Sequence, residues 1–175
     1  MNGAGFKKKS LEVARLGILF SIAIALAAAE QALPALPLLP PGAKVGISHI
    51  VVMYCLFFLG KKQAILLAAL KAVFVLTTRG PLAASLSFSG AALSLAALML
   101  LLFLFPKISC VAASVTGAVL HNVGQLAVYS MIARVNMLAF YLPFLILSGV
   151  AAGTLTGALL YKTSPFINKF YGGGG

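Results

Sequence analysis

Three polar side chains lie close together inside the apolar segment 108–133. They are His121, Asn122 and Gln125, and most of the residues around them are apolar or small. Polar groups in hydrocarbon need partners, and such residues usually face a bundle interior or a cavity. At about 100° per residue, His121 and Gln125 share one helix face, with Asn122 beside it. We interpret this face as one wall of a binding pocket; the alternative is that it joins helices through hydrogen bonds.

Four more residues are predicted to reach the same pocket: Glu30, Lys44, His49 and Lys71. Counted at about 1.5 Å per residue along helices of alternating direction, Glu30, His49 and Lys71 cluster with the 121–125 motif in one half of the bilayer, and Lys44 lies at the rim. Polar residues with separate structural roles would not be expected at the same depth in the bilayer, so this clustering favours a substrate pocket. Two alternatives remain open: Lys71 pairs with Glu30 to reduce the cost of a charge in the membrane, and His121 carries protons.

Positive charge dominates the predicted pocket. Lys44 and Lys71, with Arg79 and Arg134 at its rim, face Glu30 as the single carboxylate on that side. This balance favours a ligand with an anionic group. The two arginines could instead be ordinary interfacial anchors. Four aromatic residues are predicted as walls for the body of the ligand: Phe88, Tyr129, Phe140 and Tyr141.

The composition defines the class of protein that positions these residues. The 175-residue chain is 62% hydrophobic and 9% charged, with a mean hydropathy of +1.09, which indicates an integral membrane protein. Its 13 Lys and Arg residues lie mostly in short loops, a pattern of membrane topology rather than of nucleic-acid binding. Cys55 and Cys110 lie in apolar segments, so we expect neither a disulfide nor a metal site.

The apolar segments predict an all-α, polytopic membrane protein with a bundle of six transmembrane helices. Residues 1–11 are expected to form a basic cytoplasmic lead, 12–171 a single six-helix membrane domain, and 172–175 a glycine tail that is a linker or disordered. The Pro-rich stretch 34–42 is predicted to cap the pocket. The helices are predicted at about 12–33, 45–59, 63–76, 82–105, 108–133 and 137–161.

The positive charges also predict an orientation. With a cytoplasmic N-terminus, three cations lie outside, Lys71 lies within the membrane, and nine lie inside: Lys7, Lys8, Lys9, Arg15, Lys61, Lys62, Lys107, Lys162 and Lys169. The positive-inside rule then predicts a multi-pass protein of the inner (plasma) membrane with both termini in the cytoplasm. The pocket would open to the outside.

Two sequence motifs resemble a known family. The resemblance is to the Gx transporters, also labelled heptaprenyl diphosphate synthase component I. It rests on residues 41–47 (Pro-Gly-Ala-Lys-Val-Gly-Ile), on Lys71 in the third predicted helix, and on residues 117–126 (Gly-Ala-Val-Leu-His-Asn-Val-Gly-Gln-Leu). The resemblance covers roughly residues 12–161. This family is similar to the S components of energy-coupling factor (ECF) transporters, six-helix proteins that bind vitamins or related micronutrients from outside.

The same resemblance implies partners. In S components, small residues in an Ala-x-x-x-Ala pattern on helix 1 contact a coupling transmembrane subunit that is driven by two ATPases. Here the pairs Ala23/Ala27 and Ala25/Ala29 would have that role. Membrane lipid and the small-molecule substrate complete the expected partners, and no nucleic acid is expected.

The synthase label fits the residues poorly. Prenyl diphosphate synthases hold Mg²⁺ through clustered aspartates, since hard cations take carboxylate oxygens, and this chain has two carboxylates, both glutamates. We therefore expect no catalytic residue, no metal, no cofactor and no enzyme activity. The resemblance to S components implies a substrate-binding subunit for uptake of a small micronutrient, and the charges of the pocket favour an anionic or amphipathic one. The alternative is a non-transporting subunit that binds quinone or flavin in an electron-transfer system.

Overall fold

The structure, a computed structural model, describes residues 3–32, 46–134 and 138–171, with side chains at 9–30, 46–134 and 140–163. Within these ranges it has five helices: α1 Gly3–Ala32, α2 His49–Phe58, α3 Lys61–Leu104, α4 Cys110–Ala133 and α5 Leu138–Tyr171. All but α2 contain a segment long and apolar enough to cross a membrane. The all-α, multi-pass prediction is confirmed for this part of the chain. The count of six helices is not confirmed.

Helix α3 stands where the third and fourth helices were predicted. Its 44 residues would span about 66 Å if straight, twice the ~30 Å hydrocarbon core of a bilayer. The helix is not straight, because Gly80 has φ 83° and ψ 178° and Pro81 follows it. Residues on both sides of this break, such as Leu67 and Leu98, pack in the same buried cluster with Val52 of α2. The two halves of α3 therefore lie side by side, and the predicted turn falls at the break.

Several helix ends differ from the predicted bounds. Helix α1 begins at Gly3, so most of the basic lead is helical. Helix α2 begins four residues later than predicted, at His49, because Gly46 adopts φ +84°, a conformation that a right-handed helix does not allow. Helix α5 continues to Tyr171, ten residues beyond its predicted end.

Helices α4 and α5 approach closely along a glycine face. A Cβ on Gly149 would lie 2.9 Å from the Cα of Val119. Glycine has no side chain to hold the two backbones apart, so the helices pack at short range, as small residues allow in membranes. The contact repeats every four residues, with Gly149, Gly153 and Gly157 of α5 against Val119, Val115 and Val111 of α4.

Candidate functional site

A small polar cavity lies at the end of the bundle where α1 ends, α2 begins and α3 breaks. Its volume is about 30 Å³, which has room for about one water molecule. Four of the predicted substrate-binding residues line it: Glu30, Lys71, His121 and Gln125. Arg79, expected at the rim, is also in the wall, and so are Ser48 and Ser87, which were not predicted as site residues.

Glu30 connects the end of α1 to the start of α2. Its Oε1 accepts hydrogen bonds from the backbone N–H of Gly46 and, at 3.3 Å, from that of Ile47. The His49 N–H in turn donates to the Gly46 carbonyl at 2.8 Å, which forms the turn that opens α2. Glu30 is only 7% exposed, so this carboxylate is held inside the bundle by backbone donors.

Lys71 brings a buried positive charge into the same cavity. Its side chain is 5% exposed, and the described residues contain no hydrogen-bond or ion-pair partner for it. Glu30 and Arg79 are within electrostatic range of its ammonium group. The pairing of Lys71 with Glu30 considered from the sequence is therefore a longer-range attraction here, without a direct contact.

The two histidines form a stacked pair, with ring centroids 4.2 Å apart and an interplanar angle of 18°. Nε2 of His49 lies 2.8 Å from Oγ of Ser94, a hydrogen bond within the bundle. His121 lines the cavity, whereas His49 is not among the residues of its wall. The structure thus places His49 as a support for His121 rather than in the cavity wall.

Two glycines, Gly90 and Gly46, leave room for His121 because they have no side chain. A Cβ on Gly90 of α3 would lie 2.7 Å from the His121 carbonyl oxygen, and one on Gly46 would lie 3.0 Å from the His121 ring. The contact is reciprocal, since a Cβ on Gly124 of α4 would lie 2.8 Å from the carbonyl oxygen of Ser89. Ser89 Oγ also donates to the Gly124 carbonyl at 3.1 Å. This close crossing of α3 and α4 puts His121 in the interior.

Asn122 faces another helix. Its Nδ2 donates to the Leu145 carbonyl of α5 at 3.1 Å and lies 3.3 Å from Ser148 Oγ. It does not line the polar cavity. The 121–125 motif therefore combines both interpretations made from the sequence: His121 and Gln125 form a cavity wall, and Asn122 joins two helices.

Other predicted contributors lie elsewhere. Lys44 and the Pro-rich stretch 34–42 fall outside the described residues. Phe88 and Phe140 are 56% and 81% exposed, so the expectation that they wall the pocket is wrong; in an apolar bundle, side chains on the outer face meet lipid at no cost. Three more of the predicted wall and rim residues do not line the cavity either: Tyr129, Arg134 and Tyr141.

The predicted alanine pairs of α1 face different ways. Ala23 is fully buried and Ala27 lies at the cavity, so this pair packs within the chain's own bundle. Ala25 and Ala29 are exposed. The pairs share the same spacing, but two positions along a helix turn the face by about 200°.

The larger concave surfaces are apolar. One, of about 450 Å³, is a groove between α1 and α2 with Ile22, Val51 and Tyr54 in its wall and Arg15 at one end. Another, of about 710 Å³, lies at 101–108. Neither contains a predicted site residue, and their apolar walls suit lipid chains more than a charged ligand.

These features define a multi-pass, all-helical membrane protein with a small polar cavity at one end of its bundle. The chain belongs to the family described as heptaprenyl diphosphate synthase component I, whose model matches residues 19–163. This confirms the family that the 41–47 and 117–126 motifs indicate. No curated protein matches the chain, and no solved structure matches it.

Proposed function

We propose that this chain is the substrate-binding membrane subunit of an uptake system of the ECF type, specific for a small molecule with an anionic group. The observation that carries the proposal is the buried cavity in which Lys71, Arg79, His121 and Gln125 converge. A buried cation inside an apolar bundle is costly unless it serves a ligand or a partner. An anionic group would satisfy Lys71 and Arg79 together.

The size of the cavity implies that the site opens when substrate binds. Sites for drug-sized ligands usually have volumes of about 300–1,000 Å³, far above the ~30 Å³ of this cavity. Helix α1 is the element most easily displaced: 11% of its membrane segment is buried, against 33–44% for the other three spans. In our proposal, α1 moves away from α2 and α3 to admit substrate.

The exposed Ala25/Ala29 pair is the proposed contact for a coupling subunit. On the same face of α1, Gly17 and Ser21 are also exposed, so a second helix can approach along this line of small residues. Two ATPases bound to that subunit would supply the energy. The apolar groove between α1 and α2 would hold lipid chains.

The orientation completes the proposal. The cavity lies at the end of the bundle near Arg79, whereas Lys61, Lys62 and Lys107 lie at helix ends on the opposite side. The positive-inside rule puts the lysine-rich side in the cytoplasm. Both termini are then cytoplasmic in the plasma membrane, and the substrate enters from outside.

Mass spectrometry of the protein isolated from its native membrane in mild detergent tests this function. We expect an anionic small molecule together with a coupling subunit and ATPases. A quinone or flavin with redox proteins and without an ATPase would contradict uptake and favour electron transfer.

A further inference from the structure

We propose that Glu30 is an internal competitor: its carboxylate holds the backbone donors and fills the space that the anionic group of the substrate needs, and substrate binds by displacing it. The inference rests on the proposed function and concerns what controls access to that same site. It changes the role of Glu30 from a substrate contact to a group that keeps the empty site closed.

The first observation is that the donors for an anion are already in use. The backbone N–H groups of Gly46 and Ile47 both donate to one carboxylate oxygen of Glu30. Successive backbone N–H groups beside a positive-φ residue form an anion-binding concavity, and Gly46 has φ +84°. The nearby start of α2 adds the positive end of its helix dipole. A carboxylate is therefore the kind of group that this turn binds.

The second observation is independent of the turn. Lys71 is 95% buried and lines the same cavity, and it has no hydrogen-bond or ion-pair partner among the described residues. Glu30 attracts it only from a distance. An anion that enters the cavity would give Lys71 the direct partner that Glu30, fixed on the turn of α2, does not provide.

The volume of the polar cavity does not allow the Glu30 carboxylate and a substrate carboxylate to be present together. With Glu30 in place, the cavity has room for about one water molecule. A substrate carboxylate reaches Lys71, Gly46 and Ile47 together only after the Glu30 side chain has left. Because Glu30 is on α1, its departure is part of the same movement that opens the site.

Competition by Glu30 lowers the apparent affinity of the protein for the substrate anion. When the binding-competent state is only a fraction of the population, the apparent affinity falls by that fraction. Removal of the Glu30 charge should therefore tighten the binding of an anion, whereas removal of a true substrate contact would weaken it. The sign of the change separates the two roles.

The experiment measures binding of benzoate and phenyl phosphate by calorimetry to the full chain in detergent micelles. Glu30→Gln is compared with wild type and with Glu12→Gln, a matched control on the same helix, exposed and far from the cavity. We expect Glu30→Gln to bind at least one of the two anions about tenfold more tightly or better, as loss of a charged hydrogen-bond acceptor predicts. Glu12→Gln should bind both anions with wild-type affinity. The anion that binds more tightly shows whether the site prefers a carboxylate or a phosphate.

Equal or weaker binding by Glu30→Gln, in a protein whose wild type binds either anion, would overturn the inference and leave the proposed function standing. No binding of either anion to wild type or to the variant would overturn the proposed function and the inference with it. Should Glu30→Gln not fold, Glu30→Asp keeps the charge but shortens its reach to Gly46 and Ile47. It should also bind more tightly than wild type, and unchanged affinity would overturn the inference.

Discussion

Replacing Gly90 with alanine tests whether the polar cavity depends on the close crossing of α3 and α4. The new Cβ would lie 2.7 Å from the His121 carbonyl oxygen and 2.8 Å from Nδ1 of its ring. The carbonyl belongs to the backbone, so α4 or α3 must shift. Overpacking of this kind costs about 1–3 kcal/mol, against a gain in helix propensity of up to about 1 kcal/mol. We expect a net loss of about 1–2 kcal/mol in the free energy of unfolding.

Gly17→Ala is the matched control. Gly17 is also inside a helix, but no atom lies within 4 Å of the Cβ that would be added, so the same substitution should stabilise by up to about 1 kcal/mol. Unfolding in detergent micelles, followed by circular dichroism, compares the two. Gly90→Ala should also weaken benzoate binding, since His121 lines the cavity. If both variants gained stability and kept their benzoate affinity, the role of the crossing would be refuted.

Four other substitutions separate the roles of residues that are close together in the sequence. Asn122→Leu should lower the free energy of unfolding by about 0.5–1.5 kcal/mol, because the buried Leu145 carbonyl loses the Asn122 amide and keeps Ser148 Oγ as a donor, and should leave benzoate affinity unchanged. Gln125→Ala should show the opposite pattern, with benzoate binding weakened and the circular dichroism spectrum retained; equal loss of binding in both variants would place Asn122 at the site. Ala25→Leu should prevent co-purification of a coupling subunit without affecting benzoate binding, since Ala25 is exposed; co-purification at the wild-type level would remove this surface from the proposal. Ala23 is buried, so Ala23→Leu should instead destabilise the fold.

The sequence was sufficient to predict the class of protein and much of the cavity. Long apolar runs have few alternatives to membrane helices, because every backbone polar group in hydrocarbon must be satisfied internally. Burial of His121 and Gln125 follows from the same cost. Glu30 and Lys71 could be brought to the same level by counting residues along the helices, and both line the cavity.

The sequence did not predict which face of each helix points into the bundle. Asn122 is one residue, or about 100°, from His121, yet that rotation decides between α5 and the cavity. Both faces of these helices are apolar, so no hydrophobic periodicity shows which side is inward. The alanine pairs of α1 pose the same problem, since spacing alone does not tell 23/27 from 25/29.

Tertiary contacts and backbone conformation were also out of reach. The contact between Glu30 and the Gly46 N–H joins residues 16 apart and depends on a positive φ that a glycine permits but does not require. The break at Gly80 is a similar case: a turn between two helices was predicted, but the positive φ of Gly80 at that turn was not.

The most direct test of an anion site in the polar cavity is the affinity of Lys71→Met for benzoate. The control is Lys62→Met, at an exposed lysine of the same helix. At about 4 Å and an effective dielectric constant of about 20, the attraction between Lys71 and an anion is about 4 kcal/mol. Even half of that, about 2 kcal/mol, corresponds to about 30-fold in affinity. We expect at least that loss in Lys71→Met and none in Lys62→Met. Unchanged affinity in Lys71→Met would contradict an anion site in this cavity.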